Sequence, residues 1–385
     1  MSSLTLRIHD RIADVPQRAW DALLDPAAGP FVSFAFLDAL ERSGCAAPER
    51  GWRPRHLGLW RGGTLVAAAP AYAKDDHGGD FARDWVWAEA VRRAGVPYYP
   101  RLLVTVPITP VTGRRILVAP GESRAAALAA LVDGAKVLAR EERMSSVHVL
   151  YALPEEAAEL AAAGMIARVD VQGHWQNHDY KDWDDYLWRG LNAKHRRQVK
   201  IERDALAGQG ITVRTVRGEA IAAAREKYGE EAWGFYRATT AHFRGPWAWL
   251  NRGFFHRVFA TMPGPLELVE AWRDGRLVAG AFNMQHGERL YGRYWGAHEP
   301  HEHLHFNVCY HHSIEDCIRR GLQVFEGGAG GEHKLHRGFD LSLTHSAHWF
   351  AESRIHTIIR QYLERERTER AVEVEAWHHR RKKKP

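Results

Sequence analysis

The sequence predicts an α/β (α+β) fold built from two copies of one β-rich unit, on three observations. The 385 residues are 45% hydrophobic and 26% charged, an ordinary globular composition with chain enough for two cores. The stretch Trp60-Arg61-Gly62-Gly63-Thr64-Leu65-Val66-Ala67 matches Trp272-Arg273-Asp274-Gly275-Arg276-Leu277-Val278-Ala279 at an offset of 212 residues (60 to 272). Both read as hairpins, apolar runs around glycine-bearing turns. Each is followed by further strand, then helix, then strand, the order expected of a duplicated unit.

The elements follow in turn. Residues 4–9 alternate and read as a strand. Phe36, Leu37 and Leu40 fall at helical spacing over about 34–43, and Gly44 can cap that helix. The first hairpin spans 56–60 and 64–69. The aromatic- and proline-rich stretch 81–117 contains a short helix and strands at 101–106 and 115–118. An alanine-rich helix over about 123–143 leads to a strand at 146–151. Segment 181–208 reads as helical, basic between Lys194 and Arg203, with Gly208 and Gly210 ending it. A strand at 211–216 and a helix at about 219–240 precede the second hairpin, 266–272 and 276–282, around Asp274-Gly275. Then come a strand at 289–295, a helix at 305–320, a strand at 322–326 and a last helix at about 355–370. The helix at 305–320 carries Phe306, Cys309, Tyr310, Ile314, Cys317 and Ile318 on one face and stops at Gly321. The expected division is an N-terminal half (1–170), a basic helical connector (171–210), a C-terminal half with the active site (211–370), and a basic, disordered tail (371–385).

The formal charge is +6, with Arg380, Arg381, Lys382, Lys383 and Lys384 clustered at the end. Such a run is either a solvated tail or an arm for a polyanion. Three cysteines, Cys45, Cys309 and Cys317, make no disulfide framework and fit a reducing compartment. The N-terminus lacks the apolar core of a secretory signal, and no apolar run approaches a membrane span. A soluble, cytoplasmic protein is expected; the oligomeric state is not legible.

The densest polar cluster runs from Asn283 to His348. Period-two alternation would place Tyr291, Arg293 and Trp295 on one strand face. An arginine between aromatics there is either surface-paired or part of an anion- or carbonyl-binding wall. The glycine-rich turn 327–331, including Gly330 and Gly331, follows an apolar strand and lets backbone N–H groups approach a ligand. It matches neither dinucleotide nor P-loop pattern. Glu332, His333, Lys334, His336 and Arg337 crowd the same turn, as proton transfer and oxyanion stabilisation require. His301, His303 and His305 match no standard zinc spacing, so no metal is expected. No nucleophile elbow is present, and Cys309 and Cys317 read as core. Direct attack by a substrate amine needs only a base, a polarised carbonyl and positioning. On the basic helix, Lys194, Arg196, Arg197 and Lys200 form either a solvated face or phosphate contacts.

These blocks resemble a bacterial family of FemAB-like, GNAT-fold N-acyltransferases. The matching stretches are 31–45 (FVSFAFLDALERSGC), 84–90 (DWVWAEA), 98–103 (YYPRLL), 107–117 (PITPVTGRRIL), 174–177 (HWQN) and the basic helix at 194–203. Further matches are 290–296 (LYGRYWG), 303–310 (HLHFNVCY), 326–334 (EGGAGGEHK) and 344–349 (THSAHW). The resemblance implies tandem GNAT-like halves with mixed central sheets. It also implies amide-forming acyl transfer, with either aminoacyl-tRNA or acyl-CoA as donor substrate and no cofactor. Two positions depart from the family pattern: Asn307 stands where the family carries Glu, and Gly330 where it carries Gln.

Three functions remain open. In the first, an aminoacyl group passes from aminoacyl-tRNA to a small-molecule or peptide amine. Arg293 and the 327–331 backbone hold the carbonyl, and Glu332 or His333 handles the amine proton. Asn283, Tyr291, Trp295, His305, Asn307, Gly330, Gly331, Lys334 and Arg337 bind substrate. In the second, acyl-CoA is the donor at the same residues; the segment before the 305–320 helix, AHEPHEHL, lacks the glycines that CoA-binding loops of that fold carry. The third is a non-catalytic RNA- or partner-binding module. The missing glycines and the basic helix favour the first.

Overall fold

The computed structural model describes residues 3–241 and 248–382; Lys383 and Lys384 of the basic run lie outside these. Its strands and main helices, in chain order, are β1 (Leu4–His9), β2 (His56–Arg61), β3 (Thr64–Ala69), β4 (Ala71–Lys74), β5 (Arg101–Val104), α1 (Arg124–Glu141), β6 (Ser146–Ala152) and β7 (Ile166–Gln176). They continue with α2 (Trp183–Gly190), α3 (Ala193–Gly208), β8 (Thr212–Arg217), α4 (Arg225–Thr240), β9 (Leu266–Arg273), β10 (Arg276–His286) and β11 (Arg289–Ala297). The last are α5 (His312–Arg320), β12 (Val324–Glu326), β13 (Asp340–Phe350) and α6 (Ser353–Lys382).

The chain forms two compact units. The first comprises Met1–Asp170 and Leu343–Val372. In it β1 pairs antiparallel with β2 and β2 with β3. β4 pairs antiparallel with β5, β5 runs parallel to β6, and residues 345–350 of β13 pair antiparallel with β6. A parallel pair needs a crossover, and α1 supplies it between β5 and β6. Leu128, Leu131 and Ala135 of α1 are buried with Leu57, Leu102, Val147 and Val149 of the strands, forming this unit's core by apolar burial.

The second unit comprises Val171–Ser342 and Glu373–Pro385. It repeats the pattern: β8 pairs antiparallel with β9, β9 with β10 and β10 with β11. β11 runs parallel to β12 across the α5 crossover, and residues 174–176 of β7 pair antiparallel with β12. The matched hairpins even share an irregularity. A register shift falls between Leu59 and Trp60 in one and between Ala271 and Trp272 in the other. Bulges of this kind are built features, and their coincidence at the 212-residue offset establishes the duplication at the level of backbone geometry. Helix α4 lies so close on its sheet that a Cβ at Gly296 would sit 1.9 Å from the Phe235 carbonyl oxygen; only glycine fits there.

The units are not contiguous halves. The final strand of each is supplied by the other half of the sequence: 343–350 completes the first and 171–176 the second. The expected connector 171–210 is therefore a strand and two helices of the second unit. Its single expected helix is two, because Leu191 is extended and Asn192 caps α3, its Oδ1 accepting from the His195 N–H at 2.9 Å. The expected disordered tail is also different: α6 continues to Lys382. No Gly or Pro interrupts residues 353–384, so nothing in the local sequence stops the helix at Arg370.

Candidate functional site

A pocket of about 90 Å³ opens in the second unit. Its lining includes Asn283 of β10, Gly292, Arg293, Tyr294 and Trp295 of β11, then His305, Cys309, Tyr310, Phe325 and Gly327. Two backbone irregularities aim these side chains. Asn283 pairs with Gly292 but Phe282 pairs with Tyr294, leaving Arg293 as an extra residue in β11. A bulge inverts the alternation beyond it. Trp295, opposite Ala281, lines the pocket, whereas Tyr291, opposite Met284, is buried on the other face. The expectation that Tyr291, Arg293 and Trp295 share one face is thereby corrected. The second irregularity is a π-helical turn at Asn307–His311, which breaks the single helix expected over 305–320. Its wider turn carries Cys309 and Tyr310, which read as core residues, to the pocket wall.

The electrostatics favour neutral imidazoles. His305 packs against Trp295 with ring centroids 4.3 Å apart. Burial, then the charges of His333, Arg337 and Lys334, push its imidazole down to about 4. His333 is half-buried and is lowered by burial and by Lys334, Arg337 and His336. Its Nε2 lies 3.0 Å from the Tyr310 hydroxyl, and burial keeps that phenol protonated by raising its pKa. Burial also pushes the Cys309 thiol up, which removes it as a thiolate nucleophile.

Behind the pocket lies a buried ion cluster. Glu202 of α3 accepts from Arg337 Nε at 3.0 Å and from Arg337 Nη2, and His311 Nε2 is 2.7 Å away. Burial alone would raise the Glu202 carboxyl, but hydrogen bonds from His311, Arg337 and Gln198 bring it down to about 2. The Arg337 guanidinium lies over the Phe306 ring at 3.4 Å and donates to the His333 carbonyl at 2.9 Å, so it positions the His333 backbone. Lys334 Nζ donates to the carbonyls of Gly328 and Gly330 at 2.5 and 2.7 Å, holding a turn in which Gly328, Gly330 and Gly331 all have positive φ.

Of the residues singled out from sequence, Asn283, Arg293, Trp295 and His305 line this pocket together. His333 reaches it through Tyr310, and Lys334 and Arg337 support the neighbouring turn. Glu332, Gly330 and Gly331 are exposed and do not line it. Asn307 is buried, and its amide donates to the carbonyls of Glu202 and His303 at 2.8 and 3.1 Å. Tyr310, Cys309, Phe325 and Glu202 escaped the sequence reading. Glu202 sits amid exposed lysines and arginines, so no local signal marks it as a buried carboxylate.

On α3, Lys194, Arg197 and Lys200 are exposed. Arg196 is engaged differently: its guanidinium stacks 3.9 Å from the Trp188 ring centroid and donates to the carbonyls of Leu187, Trp188 and Leu191. Among the described residues no group of three or more His, Cys, Asp or Glu is placed to hold a metal ion, and no helix is long and apolar enough to cross a membrane. A larger pocket in the first unit, about 520 Å³, has its rim charges paired off, as in Arg42–Asp38 at 2.7 Å and Arg55–Asp10 at 2.5 Å.

Comparison with known proteins places this geometry in context. No curated protein matches the chain. A conserved protein of unknown function from Bacteroides thetaiotaomicron is 10% identical, with a TM-score of 0.51 over 89% of this chain and 99% of that one. It shares the fold. FemX is 13% identical, covering 90% of this chain and 98% of that one with a TM-score of 0.48. A tandem GNAT protein from the clavulanic acid biosynthesis pathway is 15% identical, covering 91% and 99% with a TM-score of 0.41. The FemAB-like family, described by peptidoglycan biosynthesis and recognition, matches residues 11–384. With a family match that spans residues 11–384 and tandem units that repeat one mixed-sheet topology, the chain belongs to the FemAB-like family.

Proposed function

We propose that the second-unit pocket transfers an aminoacyl group from aminoacyl-tRNA to the amine of a peptide or small molecule, forming an amide. The observation that carries this reading is the cationic face of α3 in the same unit as the pocket. Lys194, Arg197 and Lys200 are exposed there without a carboxylate partner among the described residues, as phosphate contacts require. The family's description points to a cell-wall peptide as the source of the amine.

In this scheme the ester carbonyl of the donor lies against Arg293 and Asn283, whose donors meet the negative charge that develops on its oxygen. The acceptor nitrogen attacks the carbonyl carbon and a C–N bond forms. The nitrogen's proton passes to the Tyr310 oxygen as the Tyr310 hydroxyl gives its own proton to neutral His333. The C–O bond to the ribose then breaks, and the leaving oxygen takes a proton from the Tyr310 hydroxyl, which recovers one from His333. Trp295 and His305 pack around the aminoacyl group and exclude water.

The test is single-turnover transfer of labelled amino acids from a charged tRNA pool to acceptor peptides. His333→Ala is expected to slow transfer about 100-fold or more, and Arg293→Ala by a similar factor, with tRNA binding retained. Transfer from acyl-CoA but not from charged tRNA would overturn the donor assignment.

A further inference from the structure

We infer that Trp188, backed by Arg196, is a stacking platform for an unpaired nucleotide, with the cations of α3 following the strand's phosphates. The inference rests on the nucleic-acid donor proposed above. Large aromatic rings are normally buried, yet Trp188 is 66% exposed at the end of α2. Arg196 covers the ring at 3.9 Å and is itself pinned by three carbonyls from 187–191. A planar guanidinium fixed against one face of an exposed indole leaves the ring oriented and its accessible surface ready for a second planar group. Bases meet that requirement irrespective of sequence.

The surroundings have the sign of a phosphate path. Lys194 and Arg197 are one turn apart on α3, and Lys200 continues the row by a further turn. Beside the α2–α3 junction lies a pocket of about 90 Å³ lined in part by Asn192, His195, Trp377 and Arg380, and by no carboxylate. The Trp377 indole N–H is buried without an acceptor among the described residues. Of the carboxylates on α2, Asp185 is committed to Arg189 at 2.8 Å, while Asp184, one turn before Trp188, is exposed and is outnumbered by the cations of α3. An anionic membrane surface would also attract these cations, but Trp188 is flanked by Arg189 and Arg196 rather than by other exposed apolar side chains. That composition favours a single-stranded nucleic acid.

The probes are a labelled 12-nucleotide single-stranded RNA, the same sequence as a duplex, and vesicles containing anionic phospholipid, read by anisotropy and by sedimentation. The full chain is expected to bind the single strand more tightly than the duplex. Trp188→Ala should weaken single-strand binding by about tenfold without changing the salt slope, and Trp188→Phe should recover most of it. Lys194, Arg197 and Lys200, all changed to Ala, should reduce the slope of log K against log salt by about 2. Because Trp188 is exposed, its variants should melt as the unaltered protein does. Equal binding of RNA by Trp188→Ala, or a variant defect seen with vesicles alone, would overturn the platform. If RNA binds and transfer proceeds but Trp188→Ala is silent, only this inference falls. If the unaltered chain binds no RNA, the tRNA donor falls with it.

Discussion

Asn307 shows how much a single side chain can reveal once its partners are known. Its amide nitrogen donates to two carbonyls, a role that an ionised carboxylate, an acceptor only, could not fill. The departure from the family pattern therefore fits the local backbone, and the buried carboxylate of this region is Glu202 instead. Glu202→Gln leaves Arg337 without its counter-charge, so we expect a loss of about 3 kcal/mol or more in chemical unfolding at neutral pH. The pH dependence has a definite sign. Glu202 titrates at about 2 rather than 4.5, so its stabilisation is complete above pH 4.5 and fades as pH falls towards 2. The variant should have a flatter acid-unfolding curve over that window. At this scale the sequence was a partial guide: the residue types of the site were visible, but which of them converge was not. Glu332 and Glu202 are both glutamates in charged surroundings, and only tertiary packing separates the exposed one from the buried one.

The elements tell a similar story. Hairpin turns, helix-stopping glycines and apolar runs were legible because each is local chemistry. The bulge at Arg293 and the π-helical turn at 307–311 were not, since an extra residue in a strand or turn leaves the composition unchanged while redirecting every side chain beyond it. Strands β7 and β13 were missed for a related reason, because each is stabilised by pairing with residues far away in sequence. One contact between elements carries its own prediction. Glu231 of α4 and Glu270 of β9 face each other, each with a buried oxygen that lacks a donor among the described residues. Burial, then the charge of Glu270, push the Glu231 carboxyl up to about 7. A raised pKa stabilises the fold fully below about 4.5 and is lost as pH rises through 7. Glu231→Gln, permanently neutral and able to donate, should be more stable than the parent above pH 7, by about 1–3 kcal/mol at pH 8. Thermal unfolding at pH 5 and pH 8 checks this, and an equal shift at both would refute it.

Across the whole molecule, the duplication was readable from one eight-residue match, whereas the exchange of final strands was not, because nothing in a strand's own residues names its partner. That exchange predicts how fragments behave. Residues 1–170 alone leave one edge of β6 unpaired where 345–350 belong, and remove Ala347, Trp349 and Phe350 from the core. We expect this fragment to lack a cooperative thermal transition and to aggregate. The same fragment joined to residues 343–372 by a Gly/Ser linker should melt cooperatively. A sharp transition in the unjoined fragment would show that the strand is dispensable.

The same topology sets a timetable for the ribosome. β6 emerges early, but its partner β13 lies nearly two hundred residues further along the chain. At ordinary elongation rates that is a wait of roughly ten to forty seconds. Throughout it the nascent chain carries an open, buried-type strand edge while the second unit's hairpins are still being made. The unit begun first thus receives its last strand only after every strand of the second has been made, and a chaperone that shields strand edges would have its natural window between those two moments.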